Sequence, residues 1–173
     1  MASLDVAPAL LYLIRHGKAG DPERWRGDDR ERPLTKNGRR QAEALSELFQ
    51  HDPIKCILSS PYRRCLETVA PLARRLGLSV AISATLAAGA DADAVMALLL
   101  AAPAGTALCS HGDVIPAILD ALAANGLLRA ADIRCEKGAT WVLERAAGRL
   151  TSARYVAAPA VGPTDGRTPT TRS

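Results

Sequence analysis

Aromatic residues are scarce in this chain: one phenylalanine, two tryptophans and three tyrosines among 173 residues. So few rings offer no evident stacking platform for exposed bases, and no nucleic-acid recognition motif is present, so a nucleic-acid partner is not expected. Long apolar runs are missing too. The opening "MASLDVAPALLYLIRHG" has no basic n-region, and its apolar run is too short for a signal segment or a membrane span. No membrane association is expected. Cysteine pairs are the third absence. Cys56, Cys65, Cys109 and Cys135 are scattered, with no Cys-x-x-Cys and no Cys/His spacing suited to zinc. Cys56 and Cys109 lie inside apolar runs and read as buried free thiols, which fits a reducing, cytoplasmic setting. No metal and no other cofactor is expected.

What remains is an ordinary globular composition, 48% hydrophobic and 23% charged, with a core built on alanine and leucine. Its length suits one domain. The net charge of +4 favours anionic partners, phosphates included.

Six short apolar runs read as strands: 9–15, 55–60, 78–83, 105–110, and a late pair, 139–145 and 149–156, joined as a hairpin. Helical periodicity fills the gaps. In 36–50, capped by Thr35, Ala42, Leu45, Leu48 and Phe49 are expected on one face. In 61–76 the apolar face is Leu66, Val69, Ala73 and Leu76, and Pro71 is expected to kink or weaken the helix. A third helix runs from an Asp91 cap to Ala102, before Pro103, and a fourth follows Gly112. The alternation predicts an α/β fold, a three-layer α/β/α sandwich on a largely parallel sheet. Residues 1–156 form the expected domain. The tail 157–173, with three prolines and no apolar stripe, reads as disordered.

Ligands of open α/β sheets bind beyond the carboxyl ends of the strands. The first strand ends in Arg15-His16-Gly17, the second in Ser59-Ser60-Pro61, and the fourth in Ser110-His111-Gly112. Two of the three histidines therefore stand at equivalent places, each followed by glycine. With an arginine from 63–64 they form a cationic cluster that an anion would complete. Ser60 as N-cap and Pro61 as N1 would start a helix whose N-terminus adds an anion site. Arg64 falls one turn in and reaches back to it, whereas Arg63 projects about 100° away. Gly17 and Gly112 would let the backbone approach the ligand. The loop 18–34, charged and without period, lies beside this edge. Its Lys18, Arg24 and Arg26 are either solvated or select the substrate. Trp25 is expected to pack the loop down rather than stack on a base.

These residues resemble the histidine phosphatase (phosphoglycerate mutase-like) superfamily. "LIRHG" matches its opening motif, "SSPYRRCLET" its Ser-Pro-x-x-Arg-x-x-x-Thr segment, "CSHG" its second histidine and "RPLTKNGRRQAEAL" its first helix start. The short chain is similar to the small SixA-like branch. "RGDDRERPLTKNGRRQAEAL" and "KGATWVLERAAGRL" also look like the phosphatase half of actinobacterial Nudix–phosphatase fusions, although no Nudix box is present. The resemblance implies a metal-independent phosphatase with His16 as nucleophile, forming a phosphohistidine. Arg15, Arg64 and His111 would complete the catalytic set and hold the phosphoryl group, with Gly17 also at the phosphate. Ser60 and Thr68 match the motif as structural residues. Implied substrates are a phosphorylated small molecule, a nucleotide or a phosphohistidine protein.

One departure stands out. Many members carry a glutamate acid after the third strand, where this chain reads "ATLAAGADADAV", with Ala87 and Ala88 at the place. Asp28, Asp29, Asp91, Asp93 and Asp113 are the remaining candidates, Asp91 being better suited to capping. A missing acid favours activated donors, phosphohistidine or phosphoanhydrides, over alkyl monoesters. It equally suits a non-catalytic phosphate- or phosphoprotein-binding module. A mutase is disfavoured by the lack of a lid insertion.

Overall fold

Leu11–Ile14 and Thr106–Ser110 are buried on every residue, the pattern of strands covered on both faces. They are the two central strands of a six-stranded sheet. The computed structural model describes residues 7–162. In chain order the elements are β1 (Ala9–Arg15), α1 (Lys36–Leu48), β2 (Cys56–Ser59), α2 (Arg63–Leu76), β3 (Val80–Ile82), α3 (Ala92–Ala101), β4 (Thr106–Ser110), α4 (Ile115–Ala124), β5 (Thr140–Ala146) and β6 (Arg149–Val156). The sheet order is β3-β2-β4-β1-β5-β6. The first four strands in that order are parallel, β5 pairs antiparallel to β1, and β6 pairs antiparallel to β5.

Alternate residues of β1 serve opposite faces. Tyr12 and Ile14 join Leu45 and Phe49 beside α1 and Val69 and Leu72 of α2. Leu11 and Leu13 join Val95 and Leu99 of α3 and Ile115, Ile118 and Leu122 of α4. The result is the three-layer α/β/α arrangement expected. The parallel register sets Arg15 opposite Ser110 and Ser59 opposite Cys109. The residues that follow, His16, His111 and Ser60, therefore emerge side by side at one edge.

Several local expectations are corrected. Leu48 is 49% exposed, because it sits at the edge of the apolar face, about 60° from Leu45 and about 100° from Phe49. Ser60 and Pro61 do not open α2. The helix begins at Arg63 behind Tyr62, and the Ser60 hydroxyl accepts from His111 and from Tyr62 N rather than from the first helical turn. Pro71 lies inside α2, as its position in the pattern implied, and the helix runs on to Leu76. Leu66 and Leu76 are only half-buried, and Cys65 and Leu72 take the helix's inner face with Val69 and Ala73. Cys56 is likewise half-buried, while Cys109 is buried, and all four cysteines are free. Thr35 caps α1 and Asp91 caps α3, each through its side chain. Residues 157–162 carry no helix or strand; the expectation of disorder for 163–173 lies outside the described residues. Among the described residues no helix is long and apolar enough to cross a membrane.

Candidate active site

His16 is 6% exposed and His111 2%. Their rings lie 5.3 Å apart, edge to face. The Gly17 carbonyl is 2.8 Å from His16 Nδ1. A carbonyl only accepts, so Nδ1 carries the proton and donates, leaving a lone pair on Nε2. Burial, and then the charges of Arg64 and Arg15 and the neighbouring His111, push the His16 pKa down to about 3 against the opposing effect of the Gly17 bond. The imidazole is therefore neutral throughout the neutral pH range.

His111 is held in the complementary way. Arg64 Nη2 lies 3.3 Å from its Nδ1, and a guanidinium only donates, so that nitrogen accepts. Nε2 then bears the proton and donates to Ser60 Oγ at 2.7 Å. Tyr62 packs edge-on against the His111 ring at 4.8 Å, and its own ring lies 4.6 Å from the Arg64 guanidinium carbon.

The two arginines are fixed by short buried contacts. Arg64 is 4% exposed; its Nη1 donates to the Asp29 carbonyl at 2.8 Å, and its Nη2 pairs with the Asp29 carboxylate at 3.0 Å. Arg63 faces outward and pairs with Glu67. Arg15 Nη1 donates to the Cys135 carbonyl. Arg15 Nε and Arg64 Nε are buried and have no protein partner among the described residues. Buried donors left unpaired cost roughly 1–3 kcal/mol each, a cost that an anion bound between them would remove.

The glycines act differently from expectation. The Gly17 N–H donates to Thr68 Oγ1 at 3.0 Å, so it is not free for a phosphate; its carbonyl serves the site by fixing His16. A Cβ on Gly112 would stand 2.4 Å from Arg15 Cζ, so this glycine makes room for the guanidinium rather than for a ligand. Thr68 also donates to the Arg64 carbonyl at 2.6 Å, and thus ties α2 to the end of β1.

Four of the five acid candidates are engaged by other groups, and Asp93 lies exposed in the first turn of α3. Asp28 caps the 3-10 turn Asp29–Glu31, Asp91 caps α3, and Asp113 accepts from Gly89 N at 2.7 Å. Asp29 alone touches the cluster, and its bonds to Arg32 and Arg64 outweigh partial burial and lower its pKa. Trp25 donates to the Asp28 carbonyl and lies against Gly27, inside the loop. Four contributors escaped the sequence reading: Tyr62, Arg32, Gln41 and Lys137. Arg32, 8% exposed, joins Asp29 Oδ1 at 2.7 Å and the Gly20 carbonyl at 2.6 Å. Its position in "RPLT" was the one available signal.

The family model of the histidine phosphatase superfamily (branch 1) matches residues 11–88. The chain is 35% identical over 155 residues to the 8-oxo-(d)GTP phosphatase of Mycolicibacterium smegmatis, covering 86% of this chain and 48% of that protein. This chain thus spans about half the length of that relative. A crystal structure from Agrobacterium tumefaciens, described as a candidate phosphohistidine phosphatase SixA, superposes with a TM-score of 0.71 at 25% identity, over 88% of this chain and 99% of that one. The protein histidine phosphatase SixA complexed with tungstate shares the fold, with a TM-score of 0.67 at 20% identity over 85% and 94% of the two chains. The fold and the matched motifs define the class of a histidine phosphatase domain. The chain belongs to the histidine phosphatase superfamily, with SixA among its structural neighbours.

Proposed function

We propose that this protein is a phosphatase that works through a covalent phosphohistidine on His16. The observation that carries the reading is the bond from His16 Nδ1 to the Gly17 carbonyl. It leaves a neutral imidazole with Nε2 as the nucleophile, beside two guanidinium groups with unpartnered donors. His16 Nε2 attacks phosphorus, the bond to the leaving group breaks, and the leaving group departs with the electron pair. Arg15 and Arg64 hold the phosphoryl oxygens and balance the charge in the transition state, while His111 orients the Arg64 guanidinium through its Nδ1. Water then attacks phosphorus, the P–N bond breaks, and phosphate leaves while His16 returns neutral. No metal ion has a part in these steps.

Among the described residues, Asp28, Asp91 and Asp113 are engaged as caps or with Gly89, and Asp29 is committed to two arginines, so none of these is free to protonate a departing alkoxide. Activated donors are therefore favoured: nucleotide phosphoanhydrides, whose phosphate leaves as a stable anion, or phosphohistidine, whose ring leaves as neutral imidazole when its other nitrogen carries a proton. The name of the Mycolicibacterium relative, an 8-oxo-(d)GTP phosphatase, supports the nucleotide member of that pair. Partners are accordingly phosphorylated small molecules, nucleotides or phosphohistidine proteins, met in the cytoplasm.

The test is turnover without added metal on a phosphohistidine peptide, nucleoside di- and triphosphates, para-nitrophenyl phosphate and sugar phosphates, beside His16→Ala. The expected result is activity ranked by leaving group, with sugar phosphates at least about tenfold below the anhydrides in kcat/KM, and loss of all of it in the variant. Equal rates on sugar phosphates and anhydrides would refute the activated-donor preference. Phosphate binding without turnover on any member would turn the assignment to a binding module.

A further inference from the structure

The cationic surface extends beyond the two arginines that hold one phosphoryl group. Lys18 follows Gly17 on the chain, and Lys137 comes from the segment before β5. The same buried side chain pins both. Gln41 Oε1 accepts from Lys18 N at 2.8 Å, and Gln41 Nε2 donates to the Lys137 carbonyl at 3.1 Å. Each lysine is fixed a second time. The Lys18 carbonyl accepts from Thr35 N at 2.8 Å. Gly138, next to Lys137, donates its N–H to the carbonyls of Arg15 and His16, both at 3.1 Å. The two lysines thus flank the nucleophile's strand end on a rigid base, one on either side of Gln41.

Their charges are not neutralised. Among the described residues neither ammonium pairs with a carboxylate, and Asp29 is already bonded to Arg64 and Arg32. Partial burial, followed by the charges of Arg15, Arg32, Lys18 and Arg64, lowers the Lys137 pKa, so four cations of this edge bear on it. Holding like charges together is unfavourable without an anion between them. A single phosphoryl group on Arg15 and Arg64 leaves the two lysines unmatched.

We propose that Lys18 and Lys137 form a second anion subsite beside the phosphoryl pocket, one that takes the neighbouring phosphate of a phosphoanhydride such as a nucleoside di- or triphosphate. The inference rests on the phosphatase reading above and narrows its substrate class. A phosphohistidine offers an uncharged imidazole where this subsite expects a second anion. A diphosphate matches both halves of the surface at once.

Binding tests this without turnover. Methylenediphosphonate, whose P–C–P bridge is not cleaved by phosphoryl transfer, would be compared with orthophosphate by calorimetry at fixed ionic strength. The wild-type protein is expected to bind methylenediphosphonate at least about tenfold more tightly. Lys18→Gln and Lys137→Gln should each weaken it several-fold. The double variant should erase the advantage, with orthophosphate affinity kept within about twofold. Equal wild-type affinities for the two ligands would overturn the proposal. So would an unchanged diphosphonate affinity in the double variant, or an equal loss of orthophosphate binding. Both side chains are exposed, so the variants should keep the wild-type Tm. If His16→Ala retained full turnover, the phosphatase mechanism would fail while this binding result still stood.

Discussion

The Gly17 carbonyl decides which nitrogen of His16 is free, and burial decides that the ring is neutral. The same burial has a consequence for stability. Unfolded His16 takes a proton near its ordinary value of 6.5, whereas the folded ring resists one down to about 3. Protons therefore favour the unfolded chain across that window, and stability contributed by this residue is lost as pH falls from about 6.5 toward 3. By pH 4.5 the loss is about 2–3 kcal/mol relative to pH 7.5. Urea unfolding at both pH values should show the wild type losing that much more than His16→Asn. Parallel losses in the two proteins would contradict the assignment. Much at this scale was legible in the sequence. Helical geometry at 100° per residue separates Arg64 from Arg63, and the structure buries the first and exposes the second. What was not legible are contacts made by backbone groups distant in the chain. Nothing near Gly17 announces that Thr68 will take its N–H, or that Gln41 will bind the Lys137 carbonyl.

The elements follow the periodicity where the pattern is long, and depart from it at their ends. Thr35 and Asp91 cap as their spacing predicts. Ser60 does not: its hydroxyl accepts from His111 and from Tyr62 N, and α2 begins only at Arg63, behind Tyr62. A helix start built for the site overrode the local capping signal. The β5–β6 hairpin is another place where local chemistry is imperfect. Its two turn residues, Ala147 and Gly148, have φ of 48° and 72°. A two-residue turn with both φ positive suits Asn-Gly, and alanine is strained there. Ala147→Asn should therefore stabilise the protein by up to about 1 kcal/mol, a rise of about 2–4 °C in Tm, without affecting phosphate binding. A Tm unchanged or lowered would show that the turn is already relaxed.

On the scale of the whole molecule, the parallel register explains why three distant motifs meet. Arg15 lies opposite Ser110 and Ser59 opposite Cys109, so the residues after them converge at one edge without any long-range search by side chains. Strand order cannot be read from the apolar runs themselves, but the shared edge follows from parallel strands alone, and so the site was legible before the topology was. The charge at that edge was legible only in part. The net charge of +4 pointed to an anion, while the arrangement of Arg32, Lys18 and Lys137 around it required the fold. The central claim is that a neutral His16, with Nδ1 committed to Gly17, attacks phosphorus through Nε2. The most direct measurement is to quench the protein during turnover of para-nitrophenyl phosphate and locate the trapped phosphoryl group by mass spectrometry and phosphorus NMR. The account predicts phosphorylation of His16 on Nε2, absent in His16→Ala. A phosphoryl group on Nδ1, on another residue, or on none while turnover proceeds would contradict it.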